Sequence, residues 1–260
     1  MANTVYDNIV LSNKMNDILQ TKVDLNSYLT IDTSMTEQAG MKKVINTYTA
    51  TGNVEDLAMG AGNTGDISVS FTSAEYEVKT TQGRFQYYDE QAMKDPMVVE
   101  AGLEGIAKTM VNDFTTKAIA EFDKTTTTVE AVAYNFAMVV DAIAAMNVEN
   151  EEGMFLLISP ADQADFRKAL NNDLKYAESF VRTGYIGTVC GVPVILSKAL
   201  TKGKMFLATK EAVTCFIKKD TEIEQVRDAD TRNNTVYIRK VAVVALTDAT
   251  KVVKITVAGH

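Results

Sequence analysis

Residues 95–122 read DPMVVEAGLEGIAKTMVNDFTTKAIAEF, and this stretch decides the fold. Asp95 lies where an N-cap carboxylate accepts free backbone N–H groups, and Pro96 follows at the first helical position, where its missing donor costs nothing. Apolar side chains then recur at steps of three and four residues, with polar side chains between them. The segment is predicted to be one amphipathic helix about 40 Å long. Its inward stripe comprises Val99, Leu103, Ile106, Met110, Phe114, Ala118 and Phe122.

The composition of the 260-residue chain limits the kinds of protein that it could be. Hydrophobic residues make up 46% and charged residues 23%, as in ordinary soluble proteins, and the length allows one elaborate domain or two smaller ones. A formal net charge of -8 argues against one strong basic face that coats nucleic acid. No apolar run is long enough to span a bilayer, and residues 1–30 lack the pattern of a signal peptide. The protein is therefore expected to stay in the cytoplasm where it is made.

The chain lacks the residue types that most catalytic sites need. Its one histidine is His260, interpreted as a remnant of an expression tag, so a Ser-His-Asp triad or a His-ligated zinc site is excluded. Cys190 and Cys215 are too few for a disulfide framework and are interpreted as small core residues. The acidic run at residues 149–152 is typical of a solvated loop. No enzyme, cofactor or metal site is predicted, although carboxylate or lysine chemistry stays open.

The segments before the long helix have weaker patterns. Residues 4–25 keep an imperfect helical spacing, which predicts an amphipathic arm that packs either on its own domain or on a neighbouring subunit. Residues 31–51 are mixed, and a short alternation at Val44, Asn46, Tyr48 and Ala50 predicts a strand.

A polar, glycine-rich segment from Gly52 to Gly83 is predicted to be an extended two-stranded excursion. Gly60, Gly62 and Gly65 match the G-x-G-x-x-G spelling, but a strand pattern follows them instead of the helix that a dinucleotide site requires. These glycines are therefore interpreted as flexible backbone. A loop this long is usually functional or intermolecular, so the segment is expected to lie on something else. The alternating apolar side chains are Ile67, Val69, Phe71, Tyr76 and Val78.

The second half of the chain predicts an α/β layer. A second helix is predicted over Val129–Met146, a buried strand over Met154–Ile158, and another helix beginning at Ser159-Pro160 with Asp162 at its third position. The predicted inward residues of the second helix are Val132, Phe136, Val139, Val140 and Ile143.

The remaining residues predict a glycine-punctuated turn followed by strands. The turn contains Gly184, Gly187 and Gly191, and it leads to a strand in which Pro193 excludes a central hydrogen-bonding position, so an edge strand is expected. Further strands are predicted at Met205–Thr209, Ala212–Lys218, Thr235–Leu246 and Lys251–Val257.

The order of these elements resembles the HK97-like major capsid proteins of tailed bacteriophages. It comprises an N-terminal arm, a glycine-rich hairpin, Arg84 with neighbouring aromatic residues, one long helix and an α/β region that ends in a long strand. The turn from Gly184 to Gly191 and the strand after it are similar to those that the family often carries in its axial domain. The residues from Phe206 to Val243 are similar to the family's returning strands. The resemblance covers nearly the whole chain, and its specificity comes from the order and spacing of the motifs.

The resemblance implies an α+β fold in four parts. These are an N-terminal arm (1–46), an extended E-loop hairpin (47–91), a peripheral domain made of a spine helix (92–128) with strands (222–260), and an axial domain (129–221). A long scaffolding segment and an assignable Lys–Asn cross-linking pair, two features of the family, are not visible. A separate scaffolding protein and a shell without covalent cross-links are therefore expected.

The resemblance also implies a structural role. The chain is expected to be a virion capsid subunit that assembles in the bacterial host cytoplasm into pentamers and hexamers of an icosahedral shell. This shell would enclose double-stranded phage DNA without sequence-specific binding and without a membrane, and a scaffolding protein and a portal are the expected partners. The alternatives are an encapsulin-like compartment and, from another class, a carboxylate-dependent enzyme. The expected assembly contacts are Gly60, Gly62, Gly65, Ile67, Val69, Phe71, Arg84, Gly184, Gly187 and Gly191.

Overall fold

A computed structural model of the chain describes residues 6–7, 28–37, 39–148, 152–174 and 188–258, which form two sheets, a separate hairpin and four helices. The strands are β1 (Tyr6–Asp7), β2 (Thr30–Asp32), β3 (Lys42–Thr51), β4 (Ser68–Glu77), β5 (Lys79–Tyr88), β6 (Thr128–Ala131), β7 (Met154–Ile158), β8 (Thr188–Val189), β9 (Val192–Leu196), β10 (Lys204–Thr209), β11 (Val213–Arg227), β12 (Asn233–Leu246) and β13 (Val252–Val257). The helices are α1 (Asp89–Lys94), α2 (Met97–Phe122), α3 (Phe136–Met146) and α4 (Pro160–Leu174).

The predicted long helix is confirmed as α2, which has 26 residues. It begins at Met97, one residue later than predicted, and the Oδ1 atom of Asp95 accepts a hydrogen bond from the Met97 N–H at 3.0 Å. The carboxylate therefore satisfies a free backbone donor, as the sequence predicts. The predicted inward stripe is buried or half-buried, and Ala107 and Val111 are buried beside it.

The first sheet has the strand order β1-β11-β12-β5, and β2 also pairs with β11. Helix α2 lies on one face of this sheet and packs close to β5. Two glycines permit this approach, because a Cβ atom at Gly83 would lie 2.6 Å from Ile106 Cγ2 and one at Gly102 would lie 2.5 Å from Phe85 Cζ. Side chains larger than hydrogen at either position would push the helix away from the sheet.

The second sheet has the order β6-β13-β10-β7-β9-β8, and its core includes residues of α3 and α4. All five residues of β7 are buried, which confirms the predicted buried strand. Helix α4 begins at Pro160 as predicted, and the Asp162 N–H donates to Ser159 Oγ at 3.1 Å.

A buried carboxylate ties three segments of the second sheet region together. Asp162 is fully buried, and its oxygens accept the Tyr134 O–H at 2.7 Å, the Ser159 O–H at 2.8 Å and the Gly203 N–H at 2.9 Å. Burial and the hydrogen bond to Asp162 raise the pKa of Tyr134, so this hydroxyl stays a donor. The network fixes the loop before α3 and the loop before β10 against the start of α4.

The end of α2 lies where the two sheets share one core. Phe122 is fully buried, stacks on Phe206 at 5.9 Å between ring centroids, and meets Phe155 edge-on at 6.3 Å. The same cluster contains Val213 and Val244 from the first sheet. The long helix therefore spans from the first sheet to its junction with the second.

The predicted helix over Val129–Met146 is wrong in its first part. Residues 128–131 form β6 and pair in parallel with β13, and α3 begins only after Asn135, whose side chain accepts the Met138 N–H at 2.9 Å. The run of β-branched residues favours the strand once β13 offers a partner. Val132 lies before the helix and is 90% exposed. Val140 was also predicted to face inward, but it is 52% exposed because α3 buries the face that carries Met138, Val139 and Ala142.

Two predictions about the strands are also corrected. The strand predicted over Ala212–Lys218 is the first half of β11, which continues to Arg227 past two irregularities after Ile217 that break the alternation. The strand that contains Pro193 is not at the edge, because β9 lies between β7 and β8. Proline is tolerated there since pairing with β7 begins at the next residue.

Several predictions fall outside the described residues or stay open. Most of the N-terminal arm, Gly184, Gly187 and His260 lie outside the described ranges, as does most of the acidic run at 149–152. Within the arm, β1 pairs with β11. The four-part division of the chain stays a prediction. Strand β11 crosses its boundary at residue 221, and β13 pairs within the second sheet.

Candidate assembly surfaces

Strands β3 and β4 form a hairpin (Lys42–Glu77) that belongs to neither sheet. Ten residue pairs link them, from Lys42 opposite Glu77 to Thr51 opposite Ser68. At about 3.4 Å per residue the ten-residue strands make the hairpin roughly 34 Å long. The predicted excursion is thus extended and two-stranded, but its first strand precedes Gly52, and residues 79–83 belong to the first sheet. The sequence did not predict the pairing of β3 with β4, because the loop between the two strands has no hydrophobic periodicity that would link them.

The base of the hairpin is fixed to the first sheet through one of its faces. Ile45 and Tyr76 lie on this face and pack against a buried cluster that contains Val78 and Phe216. The Tyr76 hydroxyl donates to the Leu246 carbonyl at 3.2 Å. These contacts orient the hairpin and determine which of its faces meets its own subunit.

The outer half of the hairpin carries an uncovered apolar patch on the opposite face. This patch consists of Tyr48 opposite Phe71 and Ala50 opposite Val69, whereas Ile45 and Tyr76 alternate with them and face the other way. Tyr48 is 67% exposed and Phe71 is 70% exposed, and their ring centroids are 6.3 Å apart. The patch faces away from the subunit to which the hairpin is anchored. The outer half of the anchoring face bears hydroxyls from Thr47, Thr49, Thr51, Ser68, Ser70 and Thr72.

The loop at the tip of the hairpin is closed by one carboxylate. Glu55 accepts the Thr64 N–H at 2.8 Å and the Thr64 O–H at 2.6 Å. Gly60 has a φ of +84°, which favours glycine. Strand β4 begins three residues after Gly65, so no helix N-terminus follows the G-x-G-x-x-G sequence. The interpretation of all three glycines as flexible backbone stays a prediction, and the positive φ supports it at Gly60.

The closure of this loop is expected to depend on pH. Hydrogen bonds from the Thr64 hydroxyl and backbone lower the pKa of Glu55 below its usual value of 4.5. A lowered carboxylate pKa means that the closure is fully present above pH 4.5 and is lost as the pH falls through the lowered value. Titration of the Thr64 amide by NMR should therefore give a midpoint below 4.5. Thr64→Val should move the midpoint upward, and a wild-type midpoint at or above 4.5 would contradict the closure.

A groove of about 660 Å³ runs between β5 and α2. One wall is the run Thr80–Phe85 of β5, and the other is α2 from Gly102 to Lys117. Its apolar lining comes from Phe85, Ile106 and Met110, and its charged side chains are Arg84, Asp113 and Lys117. Within the described part of the chain, β5 pairs as a strand with β12 alone, so its other backbone edge is open.

The predicted contact residues lie in different parts of the structure. Ile67, Val69 and Phe71 are exposed on the hairpin, and Arg84 is exposed in the groove. Gly191 has a φ of +83° in the turn between β8 and β9, which explains this glycine by backbone geometry. Tyr48 is an exposed hairpin residue that was not among the predicted contacts, although its alternation with Val44 and Ala50 indicates a strand face. Gly105 lines the groove and was not predicted either, since a single glycine in a helical pattern gives no signal of a groove.

The described residues offer no competing chemical site. Among them, no group of three or more His, Cys, Asp or Glu side chains could hold a metal ion. Cys215 is buried, and burial raises the pKa of its thiol to about 11, so it stays protonated and unreactive. Cys190 is only half-buried. None of the helices in these ranges is both long and apolar enough to cross a membrane.

Known proteins share sequence features with most of this chain. Residues 72–255 match a family model described as phage capsid protein. The major capsid protein of Staphylococcus phage phiMR11 is 25% identical over 254 residues, which cover 95% of this chain and 92% of that protein.

Solved structures share the fold at lower sequence identity. The structure from Mycobacterium phage Che8 has a TM-score of 0.67 and 14% identity, and the match covers 98% of this chain and 93% of that one. The virus-like particle from Pyrococcus furiosus has a TM-score of 0.66 and 11% identity, with 95% and 97% covered. At these identities the likeness shows the fold alone.

Proposed function

Because the chain belongs to the phage capsid protein family, we propose that it is the major subunit of an icosahedral virion shell made of pentamers and hexamers. The chain has the HK97-like α+β fold and is a structural capsid subunit. The proposed assembly is supported by the surfaces that the described part of a single subunit leaves uncovered.

The observation that carries the proposal is the apolar patch of Tyr48, Ala50, Val69 and Phe71. Large aromatic side chains exposed to water on an extended hairpin are unfavourable for an isolated subunit. The patch faces away from the body that anchors the hairpin, and the described part of the subunit does not cover it. A neighbouring subunit can, and repetition of that contact by symmetry produces a closed shell. The hairpin would thus act as a strap between subunits.

The proposed partners and cargo follow from the same role. We propose that the shell encloses double-stranded phage DNA, that it assembles in the host cytoplasm, and that a scaffolding protein and a portal take part. The net charge of -8 supports DNA enclosure without tight binding, since an acidic subunit repels phosphates. We further propose that the subunit has no enzymatic activity.

An encapsulin-like compartment would use the same fold, which is shared by the virus-like particle. The family match and the phage relative favour the virion shell instead. Genes for a portal and a terminase beside this one would support the same choice.

Assembly of the purified chain tests the proposal. Concentrated protein, alone and with a co-expressed scaffolding protein from the same phage, should form closed shells of uniform diameter in negative-stain microscopy. Light scattering should show a concentration threshold for their formation, because a shell gains most of its contacts only when many subunits join. A strict monomer under all these conditions would contradict the proposal.

A further inference from the structure

We propose that Tyr76 is a positioning residue that fixes the angle at which the hairpin leaves its own subunit and couples this angle to the end of α2. The inference rests on the proposed shell function, in which hairpins that leave every subunit at a fixed angle give shells of uniform diameter. It concerns contacts inside one subunit, so it can be tested before any shell forms.

The outermost contacts between the hairpin and its own subunit lie at Ile45 and Tyr76. Both side chains are half-buried and pack against the cluster that contains Val78 and Phe216. From residue 46 to residue 75, every residue except Glu55 in the tip loop is exposed. The hairpin therefore leaves the body of the subunit at Tyr76.

A small rotation at this point has a large effect at the far end of the hairpin. Residues 68–75 of β4 extend beyond Tyr76 for roughly 27 Å at about 3.4 Å per residue. A rotation of about 10° at Tyr76 would then move the far end of the strands by roughly 5 Å, which is about the spacing between neighbouring strands. Subunits that must match their neighbours therefore need this angle to be fixed.

The hydroxyl of Tyr76 makes the directional contact at this point. Packing on the apolar cluster requires only the ring, which phenylalanine would also supply. The hydroxyl adds a hydrogen bond to the Leu246 carbonyl at 3.2 Å, at the end of β12. Burial and the nearby Glu121 carboxylate raise the pKa of Tyr76, so the hydroxyl keeps its proton and remains a donor. Because a hydrogen bond weakens steeply when it is misaligned, this contact limits rotation of the hairpin.

Leu246 and the end of α2 complete a circuit of contacts with Tyr76. The Leu246 N–H donates to Glu121 Oε2 at 3.3 Å, and Glu121 Oε1 accepts from Lys124 Nζ at 2.6 Å. The same Nζ atom lies 5.6 Å from the centroid of the Tyr76 ring, within the range of a cation–π contact. The Glu121 side chain is only 13% exposed, so water screens its contacts less than those of a surface ion pair. Polar contacts therefore join the hairpin, α2 and β12 at one point.

The circuit lies beside the junction of the two sheets. Glu121 precedes Phe122, whose ring is fully buried in the core that the sheets share, and Leu246 packs against the same core. A movement of the last turn of α2 would displace Glu121, and with it the Leu246 backbone that accepts from Tyr76. The angle of the hairpin depends on the end of α2 for this reason, in addition to the apolar contacts at its base.

Tyr76→Phe tests the positioning role, because it removes the hydroxyl and keeps the ring. Nitroxides carried by non-natural residues at positions 70 and 108 measure the angle in the unassembled subunit, since Ser70 is exposed on the hairpin and Lys108 is exposed on α2. The distribution of distances between the nitroxides should be about twofold broader in Tyr76→Phe, because a directional contact no longer limits rotation. The melting temperature should fall by less than about 4 °C.

Tyr48→Phe is the matched control for the distance measurement. It also removes a hydroxyl from a hairpin tyrosine, but Tyr48 is 67% exposed and lies beyond the contacts with the body. Its distribution should equal that of the wild type. Equal widths for Tyr76→Phe and the wild type would overturn the inference.

Glu121→Ala tests the coupling to α2. It removes the acceptor of the Leu246 N–H and the partner of Lys124, so it should broaden the same distribution although Glu121 lies on α2. Because both substitutions break one circuit, the double variant should be no broader than Tyr76→Phe alone. Additive broadening would show that the two residues act separately and would overturn the coupling.

Negative-stain microscopy relates the angle to the shell. Shells from Tyr76→Phe should vary more in diameter than wild-type shells. Broadened distances together with shells of wild-type uniformity would overturn the role of the angle in assembly. A wild-type chain that forms no shells would contradict the proposed function, whereas the distances in the unassembled subunit would still support or overturn the role of Tyr76.

Discussion

Replacing residues 46–73 with Asn-Gly is expected to leave a folded subunit that forms no shells. Ile45 and Ala74 lie opposite each other in the hairpin, so a two-residue Asn-Gly turn can join them in register. The shortened hairpin keeps Ile45, Tyr76 and Val78, which anchor it to the first sheet. The apolar patch and the tip loop are removed together. A longer deletion that reached Val78 would also remove a buried side chain and would confuse folding with assembly.

Circular dichroism and a thermal melt would measure the fold of the shortened variant, and negative-stain microscopy would measure assembly. A suitable control is the double change Thr49→Ala with Ser70→Ala on the opposite face of the hairpin. This control keeps the patch and should assemble. Normal shells from the shortened variant would show that the hairpin is not the strap, and loss of its fold would show that the outer half belongs to the core.

Phe122→Ala is expected to lower the free energy of unfolding by about 4 kcal/mol. Phe122 is fully buried between the aromatic rings of Phe155 and Phe206, at the junction of the two sheets. Both neighbours belong to strands in the middle of the second sheet, so the cavity cannot close by a loop movement. The loss combines the transfer of the ring to water with the cavity that remains. Chemical denaturation of the unassembled subunit would measure it.

Phe71→Ala is the matched control for this change, because it removes the same ring from a side chain that is 70% exposed. It should change the free energy of unfolding by less than about 0.5 kcal/mol. It should weaken assembly, since Phe71 belongs to the apolar patch. Equal destabilisation by the two substitutions would mean that the hairpin packs on its own subunit in solution.

Local sequence patterns were sufficient for the parts of the fold that depend on neighbouring residues. The apolar stripe from Val99 to Phe122 predicted α2 and its buried face. The continuous apolar run Met154–Ile158 predicted β7. Ser159 and Asp162 marked the start of α4. The alternation of Val69 and Phe71 gave an extended strand but not its partner.

The sequence by itself therefore determined the long helix, the buried strand, the extended character of the hairpin and, through the order of elements, the family. Tertiary structure alone decided that residues 128–131 are a strand, because β13, more than a hundred residues away, supplies the pairing. It also decided that the Tyr48 and Phe71 face is uncovered and that Gly105 lies in an open groove. The physical reason is that periodicity reports which side chains share a face, whereas covering a face depends on contacts between residues far apart in the chain.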